Sequence, residues 1–176
     1  MKRSSPPALT IRPAAEHDAA ALGRIEAAAG ELFRTLADLA WVADGPIGAA
    51  EEFLPLIRAG TVWVVEDEDA GLVGELRGEI FGDALHIVEL AVVMDYQRRG
   101  LGRRLIDVAR NAALARGLRF LTLTTFRHVA WNGPFYARYG FVELQAAELD
   151  ERLRETVLAE EARGLPNRCA MRLTLD

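Results

Sequence analysis

The hydrophobic pattern divides the first half of the chain into a helical part and a strand-rich part. A short apolar run at residues 9–12 predicts a strand, and apolar residues at helical spacing then predict helices over 16–34, 36–42 and 49–59. Gly30 interrupts the first helical face and is expected to split or kink it. Three runs rich in β-branched and aromatic residues follow at 61–66, 72–80 and 85–93. Because only short polar turns separate these runs, they predict an antiparallel meander.

The second half alternates between helix and strand patterns. Leu101, Leu105, Val108 and Ala112 recur at helical spacing in a segment that ends at Gly117, and residues 120–126 predict the next strand. The order strand, helix, strand predicts a parallel pair with a right-handed crossover. Further on, the pattern predicts a short helix over 134–139, a strand over 141–144, an amphipathic helix over 146–163 and a last strand over 169–175.

A glycine-rich, cationic turn connects the run at 85–93 to the helix that ends at Gly117. Gly100 and Gly102 let a ligand approach the backbone closely, and Arg98, Arg99 and Arg103 add positive charge around them. The first N–H groups of a helix have no intrahelical acceptor, and the helix dipole favours an anion there. This stretch therefore predicts a phosphate-binding site.

Composition narrows the classes of protein that the pattern allows. With 176 residues, the chain suits one domain, which we expect at 8–176 behind a flexible tail at 1–7. The net charge of −5 argues against a general nucleic-acid binder. Apolar runs stay shorter than the ~20 residues that span a membrane, so no membrane partner is expected. The single Cys169 suits a reducing, cytoplasmic location.

Two segments together resemble a known family. Gln97-Arg98-Arg99-Gly100-Leu101-Gly102 resembles the Q/R-x-x-G-x-G/A motif of the GNAT superfamily of acetyl-CoA-dependent N-acetyltransferases, and Leu90-Ala91-Val92 is similar to its lead-in strand. Residues 131–141 resemble the family's Asn…Phe-Tyr-x-x-x-Gly-Phe segment. The resemblance implies an α/β fold with a mixed, mostly antiparallel central sheet of six to seven strands. Helices would cover both faces, and the sheet would splay between its fourth and fifth strands.

The resemblance also implies acetyl-CoA as co-substrate and assigns its contacts, with no metal. The backbone of Leu90, Ala91 and Val92 would hold the pantetheine arm. Asn132 and Phe135 would contact the far side of the cofactor, although the Asn-to-Tyr spacing is of the family's shorter kind. Met94 stands where the family commonly has a proline. The pyrophosphate would lie against Gln97, Arg98, Arg99, Gly100, Leu101, Gly102 and Arg103.

Tyr136 occupies the tyrosine position of the family and is assigned as the general acid. A tyrosine pKa of roughly 10 lies above the roughly 8.5 of a free thiol, so the hydroxyl can protonate the departing thiolate late in the step. The alternative is a core tyrosine whose hydroxyl is satisfied by a neighbour. The backbone N–H near Val92 is the expected donor to the thioester oxygen.

Two residues of the strand at 85–93 are candidates for the general base. His86 has a suitable ordinary pKa of roughly 6.5, and its alternative role is a sheet histidine bonded to a neighbour. Glu89 could act as base if the strand bulges, and is otherwise a solvated or paired carboxylate. On the preceding strand, Glu75 and Glu79 share a face and could orient an amine or act through water, or they could lie at the surface.

The expected activity is acetyl transfer to a primary amine of a small molecule or peptide by direct attack. The competing hypothesis is a catalytically silent acyl-CoA-binding regulatory module. The resemblance implies an acceptor pocket built from 30–59 and 144–166, whose acidic residues either attract a cationic amine or lie on solvated helix faces. The helix at 146–163 could cap this pocket or form the contact of a homodimer.

Overall fold

The structure is a computed structural model, and it describes residues 9–176. The tail predicted at 1–7 lies outside the described residues. Residue contacts divide the described chain into two compact units: residues 9–78 with Glu89–Ala109, and Glu79–Val88 with Arg110–Asp176. The prediction of one domain over 8–176 stays a prediction.

Seven strands and five α-helices make up the described chain. The strands are β1 (Leu9–Pro13), β2 (Val62–Asp67), β3 (Gly71–Phe81), β4 (Ala84–Val92), β5 (Phe120–Phe126), β6 (Val142–Glu143) and β7 (Arg168–Thr174). The α-helices are α1 (Ala19–Gly30), α2 (Ala50–Arg58), α3 (Leu101–Ala115), α4 (Gly133–Tyr139) and α5 (Glu151–Ala162). Short 3-10 helices cover Glu16–Asp18, Glu31–Thr35, Ala37–Asp44, Met94–Tyr96 and Ala146–Glu148.

The strands form one sheet in the order β1-β2-β3-β4-β5-β7-β6. It is mostly antiparallel, and β4 with β5 is its parallel pair. The parallel register covers Ala84–Ile87 against Phe120–Leu123, whereas β4 continues to Val92. The predicted fold class, a mixed and mostly antiparallel sheet of six to seven strands with helices on both faces, is confirmed. The predicted splay between the fourth and fifth strands stays a prediction. The last strand in sequence lies inside the sheet, because β7 pairs along its whole length with β5 and the two-residue β6 takes the edge.

In the first unit, α1 and α2 pack against β2 through an apolar cluster. Leu22, Phe53, Ile57 and Val64 are its largest members, and Leu22 and Val64 are fully buried. Each such side chain contributes roughly 1.5–3 kcal/mol by its removal from water. The predicted helix over 16–34 ends its α-helical part at Gly30 and continues as a 3-10 turn, as the interruption at Gly30 indicated.

In the second unit, α5 packs on the sheet. Leu153 lies in a cluster with Leu144 and Ala170, and the Asp150 carboxylate caps the helix by accepting from the Leu153 N–H at 2.7 Å. Near the other end of α5, the Glu160 carboxylate accepts from Thr124 Oγ1 and from Arg168 Nε, at 2.7 and 2.8 Å. These contacts place the charged helix predicted at 146–163 against β5 and β7. No helix within residues 9–176 is long and apolar enough to cross a membrane.

Candidate active site

The turn after β4 is held to the strand by the side chain of Gln97. Gln97 Nε2 donates to the carbonyl oxygen of Val92 at 2.8 Å, and the Tyr96 N–H donates to the carbonyl oxygen of Val93 at 2.9 Å. Gln97 therefore positions the turn relative to the end of β4. Gln97 is predicted to contact the cofactor, and its side chain already positions the turn through a hydrogen bond within the protein.

The backbone then forms a concave turn that leads into α3. Arg98 has φ of 60° and Gly100 has φ of 77°, so both adopt the left-handed conformation on either side of Arg99. Alternation of this kind turns successive N–H groups toward one point and creates an anion-binding concavity. Leu101, which is 2% exposed, anchors the start of α3, whose first N–H groups lack intrahelical acceptors. Since the Arg98, Arg99 and Arg103 side chains are exposed, the cationic turn has the geometry of a phosphate site.

Aromatic and carboxylate contacts fix this turn to the β2–β3 connection. The Arg99 guanidinium lies 4.7 Å from the centre of the Tyr96 ring and donates to the carbonyl oxygen of Asp95 at 2.8 Å. The Tyr96 hydroxyl donates to Asp67 Oδ2 at 3.0 Å, and Asp67 Oδ1 accepts from the N–H groups of Asp69 and Ala70. These bonds to backbone N–H groups lower the pKa of Asp67. The anion-binding turn is thus held by a network that stays charged at neutral pH.

The strand segment Leu90–Val92 lies next to β3 with little space between them. A Cβ on Gly74 would stand 3.2 Å from the Ala91 carbonyl oxygen and 3.4 Å from Val92 Cγ2. The Leu90 N–H donates to Glu89 Oε1 at 3.1 Å, and the Val93 N–H donates to the Val73 carbonyl oxygen at 3.0 Å. The carboxylate of Glu89 is therefore drawn toward the same backbone segment that the resemblance assigns to pantetheine.

In the first unit, β3 carries a buried carboxyl group. Glu75 is fully buried on β3, and neither of its carboxyl oxygens accepts a hydrogen bond from the described residues. Arg77 Nε is 3.0 Å from Glu75 Oε2 but is poorly aligned for a bond. The Arg77 guanidinium is shared with Glu26 on α1 and lies 4.4 Å from the centre of the Phe53 ring. Burial raises the pKa of Glu75 to about 8 against the attraction of Arg77, and the charges of Glu89 and Glu26 add to the rise.

In the second unit, α4 begins directly against the end of β5. A Cβ on Gly133 would lie 2.5 Å from the Arg127 carbonyl oxygen, so only glycine fits this start. Tyr136 is 7% exposed, and its ring makes edge-to-face contacts with Phe135 and Phe141 at centre distances of 5.1 and 5.6 Å. Oδ1 of Asn132 is buried without a hydrogen-bond partner among the described residues. An unused acceptor at this position is consistent with the ligand contact that the resemblance assigns to Asn132.

His86 is buried in the second unit and bonded to a neighbouring strand. Its Nδ1 is 3.1 Å from Thr122 Oγ1, and its ring meets Phe81 edge-on at 6.3 Å. Burial, followed by the positive charge of Arg152, lowers the pKa of His86 to about 4. A histidine with so low a pKa is neutral at pH 7 and is a weak proton acceptor.

Several acidic residues expected around the acceptor pocket already have partners. Arg34 pairs with Glu31 and Asp44, both at 2.8 Å, and Arg168 pairs with Glu160. Asp150 is engaged as the cap of α5. Their charges are therefore largely balanced within each unit, which weakens the case for attraction of a cationic amine. The described residues contain no group of three or more His, Cys, Asp or Glu arranged to hold a metal ion.

The model of a protein family, the acetyltransferase (GNAT) domain, matches residues 58–143. This segment is just under half of the chain and contains β2 to β6, α3, α4 and the anion-binding turn. The resemblance to the GNAT superfamily is confirmed. The family match supports an acyltransferase.

Solved structures share this GNAT fold. PaiA N-acetyltransferase from Thermoplasma acidophilum, in complex with coenzyme A, is 15% identical with a TM-score of 0.72, over 95% of this chain and 99% of that one. The ribosomal-protein-S18-alanine N-acetyltransferase from Escherichia coli is 17% identical with a TM-score of 0.64, over 96% and 95% of the two chains. N-acetylglutamate synthase from Neisseria gonorrhoeae, in complex with coenzyme A and N-acetyl-glutamate, is 21% identical with a TM-score of 0.68, over 98% of this chain but 36% of that one.

The predicted site residues fall into two sets, each collected within one unit. Glu89, Leu90–Val92 and Gln97–Arg103 are together in the first unit, while His86, Asn132, Phe135 and Tyr136 are in the second. Sequence reasoning gave little weight to Glu75 and none to Arg152. The signal for Glu75 was a lone acidic residue in an otherwise apolar strand centre, Val73-Gly74-Glu75-Leu76. For Arg152 no local signal exists, because its surroundings come from β3 and β4.

Proposed function

We propose that this protein is an acetyl-CoA-dependent N-acetyltransferase that acts on a primary amine of a small molecule or peptide. The observation that carries the proposal is the left-handed turn at Arg98 and Gly100, which opens α3 and is rimmed by exposed arginines. A helix start of this shape favours a pyrophosphate. The family match over residues 58–143, together with the coenzyme A in the complex of a structural neighbour, supports coenzyme A as its source.

The residues present fit the cofactor contacts that the resemblance assigns. The backbone of Leu90, Ala91 and Val92 would add to the pantetheine amides as a neighbouring strand does. Gln97 would hold the turn against β4, and the N–H groups of the turn would bind the pyrophosphate. Asn132 and Phe135 would complete the contacts, and the buried Asn132 Oδ1 supports this assignment.

In the proposed reaction, the acceptor nitrogen attacks the thioester carbonyl carbon and the carbon–sulfur bond breaks. One proton must leave the acceptor ammonium before attack, a second leaves the nitrogen once it is acylated, and the thiolate gains one. We assign the hydroxyl of Tyr136 as the donor to the thiolate. A backbone N–H near Val92 would stabilise the negative charge on the carbonyl oxygen.

We assign Glu89, rather than His86, as the group that takes the amine proton. His86 is buried and its pKa of about 4 makes it a poor acceptor near neutral pH. Glu89 lies beside the strand segment that the resemblance assigns to pantetheine, and its Oε1 accepts from the Leu90 N–H at 3.1 Å. Its carboxylate would therefore stand next to the thioester, where it could take the amine proton.

The structural neighbours support an amine acceptor without fixing its size. Their names include a ribosomal-protein-S18-alanine N-acetyltransferase and an N-acetylglutamate synthase in complex with coenzyme A and N-acetyl-glutamate. A catalytically silent acyl-CoA-binding module is the alternative that the activity assay must exclude.

The proposal is tested by acetyl-CoA binding followed by turnover. Acetyl-CoA should raise the thermal midpoint, and a panel of polyamines, amino acids, aminoglycosides and peptides should reveal an acceptor through release of free thiol. Gly100→Glu should abolish the thermal shift, because it places a negative side chain in the anion site. Gly100→Ala is the matched control, since it carries the same strain at positive φ without the charge. The absence of a shift with the parent protein at millimolar acetyl-CoA would refute the cofactor assignment, and a shift without any turnover would favour the silent module.

A further inference from the structure

The guanidinium of Arg152, near the start of α5, is half-buried and has no ion-pair partner. No described carboxylate lies within ion-pair distance of it, and it donates no hydrogen bond to any described residue. Residues 1–8 contain no acidic side chain. Arg12, Arg34 and Arg58 differ, because each is paired and has a raised pKa. Burial instead lowers the pKa of Arg152, which is the expected sign for a desolvated and uncompensated cation.

The position of this guanidinium is fixed by an aromatic ring. Its Cζ lies 4.0 Å from the centre of the Phe81 ring, at the end of β3, and the same ring meets His86 of β4 edge-on. A guanidinium stacked on a ring keeps its in-plane N–H groups available for a planar anion. A cation that is ordered, partly dehydrated and unpaired costs stability, and such a cost is common where a protein is built to receive a ligand.

The charges around Arg152 leave room for an anion. Asp150 and Glu79 are the carboxylates whose negative charges raise its pKa, against the larger lowering by burial. Asp150 is committed to the cap of α5, where it accepts from the Leu153 N–H, and Glu79 is exposed to solvent. His86 is neutral, and if Thr122 donates to its Nδ1, its Nε2 carries the hydrogen. The first turn of α5 adds the positive end of a helix dipole.

We propose that Arg152, stacked on Phe81 beside His86, binds a carboxylate of the acceptor, so that the acceptor is an amino acid or a peptide with a free carboxyl group rather than a polyamine. A carboxylate matches the planar guanidinium with two parallel N–H···O bonds. This inference rests on the proposed function for the identity of its ligand, but the anion site itself can be tested without turnover.

The site is tested first by binding alone. The Nε–Hε resonance of Arg152, assigned by its loss in Arg152→Gln, should shift when acetate is titrated into the intact protein, and sodium chloride at equal ionic strength should leave it in place. The adjacent solvent-exposed Arg154 provides the internal control, and its resonance should not respond to acetate. An Arg152 resonance that responds equally to chloride and acetate, or to neither, would overturn the site.

The acceptor class is tested by matched substrates. For an amino acid against its carboxamide, the parent should prefer the carboxylate by roughly 10- to 100-fold in kcat/KM, the range of a charge-assisted bond. Arg152→Gln should bring this ratio close to one, because kcat/KM should fall far more for the carboxylate than for the carboxamide, and Arg152→Lys should recover only part of the preference because it lacks the planar fork. Arg154→Gln should retain the parent ratio.

The possible negative results distinguish failure of the acceptor assignment from failure of the proposed function. An acetate response at Arg152 with an unchanged preference in Arg152→Gln would overturn the acceptor assignment. Acetyl transfer to polyamines with none to amino acids or peptides would overturn it as well, while supporting the proposed function. No transfer to any amine would refute the proposed function, and the acetate titration would still decide whether the anion site exists.

Discussion

Removal of one atom, the hydroxyl oxygen, separates the chemical role of Tyr136 from its packing role. Tyr136→Phe keeps the edge-to-face contacts with Phe135 and Phe141 and removes only the hydroxyl. We expect kcat to fall by roughly 10²- to 10⁴-fold, because general acids contribute on this scale, while the acetyl-CoA-induced thermal shift persists. Steady-state thiol release and the thermal shift are measured on the same preparation. Equal turnover in the variant and the parent would remove Tyr136 from the mechanism.

The general base is also decided at single residues. Glu89→Gln should lower kcat about 100-fold or more, since the amide cannot accept the proton, whereas His86→Gln should change it by less than about tenfold. The pH–rate profile of His86→Gln should keep its acidic limb. The opposite ranking of the two variants, with the acidic limb lost in His86→Gln, would assign the base to His86. Glu79→Gln, at an exposed position of β3, controls for removal of a negative charge.

At the level of elements, the β5–α4 junction depends on the absence of one side chain. Gly133→Ala would force a methyl group to 2.5 Å from the Arg127 carbonyl oxygen and 3.0 Å from that of Phe126. Either α4 moves or β5 distorts, at a cost of roughly 1–3 kcal/mol in the free energy of unfolding. Gly30→Ala is the matched control, because its Cβ would meet nothing within 4 Å, and alanine should be neutral or stabilising at this helix end. Urea denaturation compares the two variants, and equal stability for both would contradict the steric argument.

The elements themselves were largely predictable, because their signals are local. β-branched runs, the stop at Gly30 and the glycines at positions 100 and 102 each act within a few residues of where they stand. The segment at 36–42 differs: the structure has a 3-10 helix over Ala37–Asp44 where a regular helix was expected. The order β5-β7-β6 was not predictable either, since β7 pairs with a strand that lies more than 40 residues earlier. Pairing over such separations depends on tertiary packing rather than on propensity.

In the candidate site, some features depend on consecutive residues and others on residues far apart in the sequence. The glycine-rich turn at 97–103 is encoded in consecutive residues, so its position between β4 and α3 could be predicted, and its role as an anion site stays a prediction. The Arg77 ion pair joins residues 51 positions apart, and the Arg152–Phe81 contact joins two elements of which neither signals the other. Burial also decides which candidate base is usable. The sequence alone suggests an ordinary histidine pKa for His86. Burial in the structure lowers that pKa, and no local sequence pattern reveals this burial.

For the whole molecule, two buried groups of opposite sign should shape the dependence of stability on pH. The folded-state pKa of His86 is about 4, below its ordinary 6.5, so between these values the unfolded chain binds more protons and stability falls as pH decreases. The folded-state pKa of Glu75 is about 8, above its ordinary 4.5, so the folded chain binds more protons and stability falls as pH increases through that window. The paired carboxylates Asp18 and Asp67, whose pKa values are lowered, add to the loss of stability in acid.

Glutamine substitutions separate these two effects within one set of thermal or urea denaturation curves from pH 5 to pH 9. Glu75→Gln keeps the shape of the side chain without its ionisation, so its free energy of unfolding relative to the parent should rise with pH, by on the order of 4 kcal/mol across the range. His86→Gln should be less stable than the parent at every pH, because it loses packing. This difference in the free energy of unfolding should shrink by on the order of 1–2 kcal/mol as pH falls from 7.5 to 5, because the buried, unprotonated histidine destabilises the parent at low pH. Glu79→Gln should follow the parent at every pH, because its carboxylate is exposed. If the difference between Glu75→Gln and the parent is flat over this range, Glu75 is ionised in the folded protein.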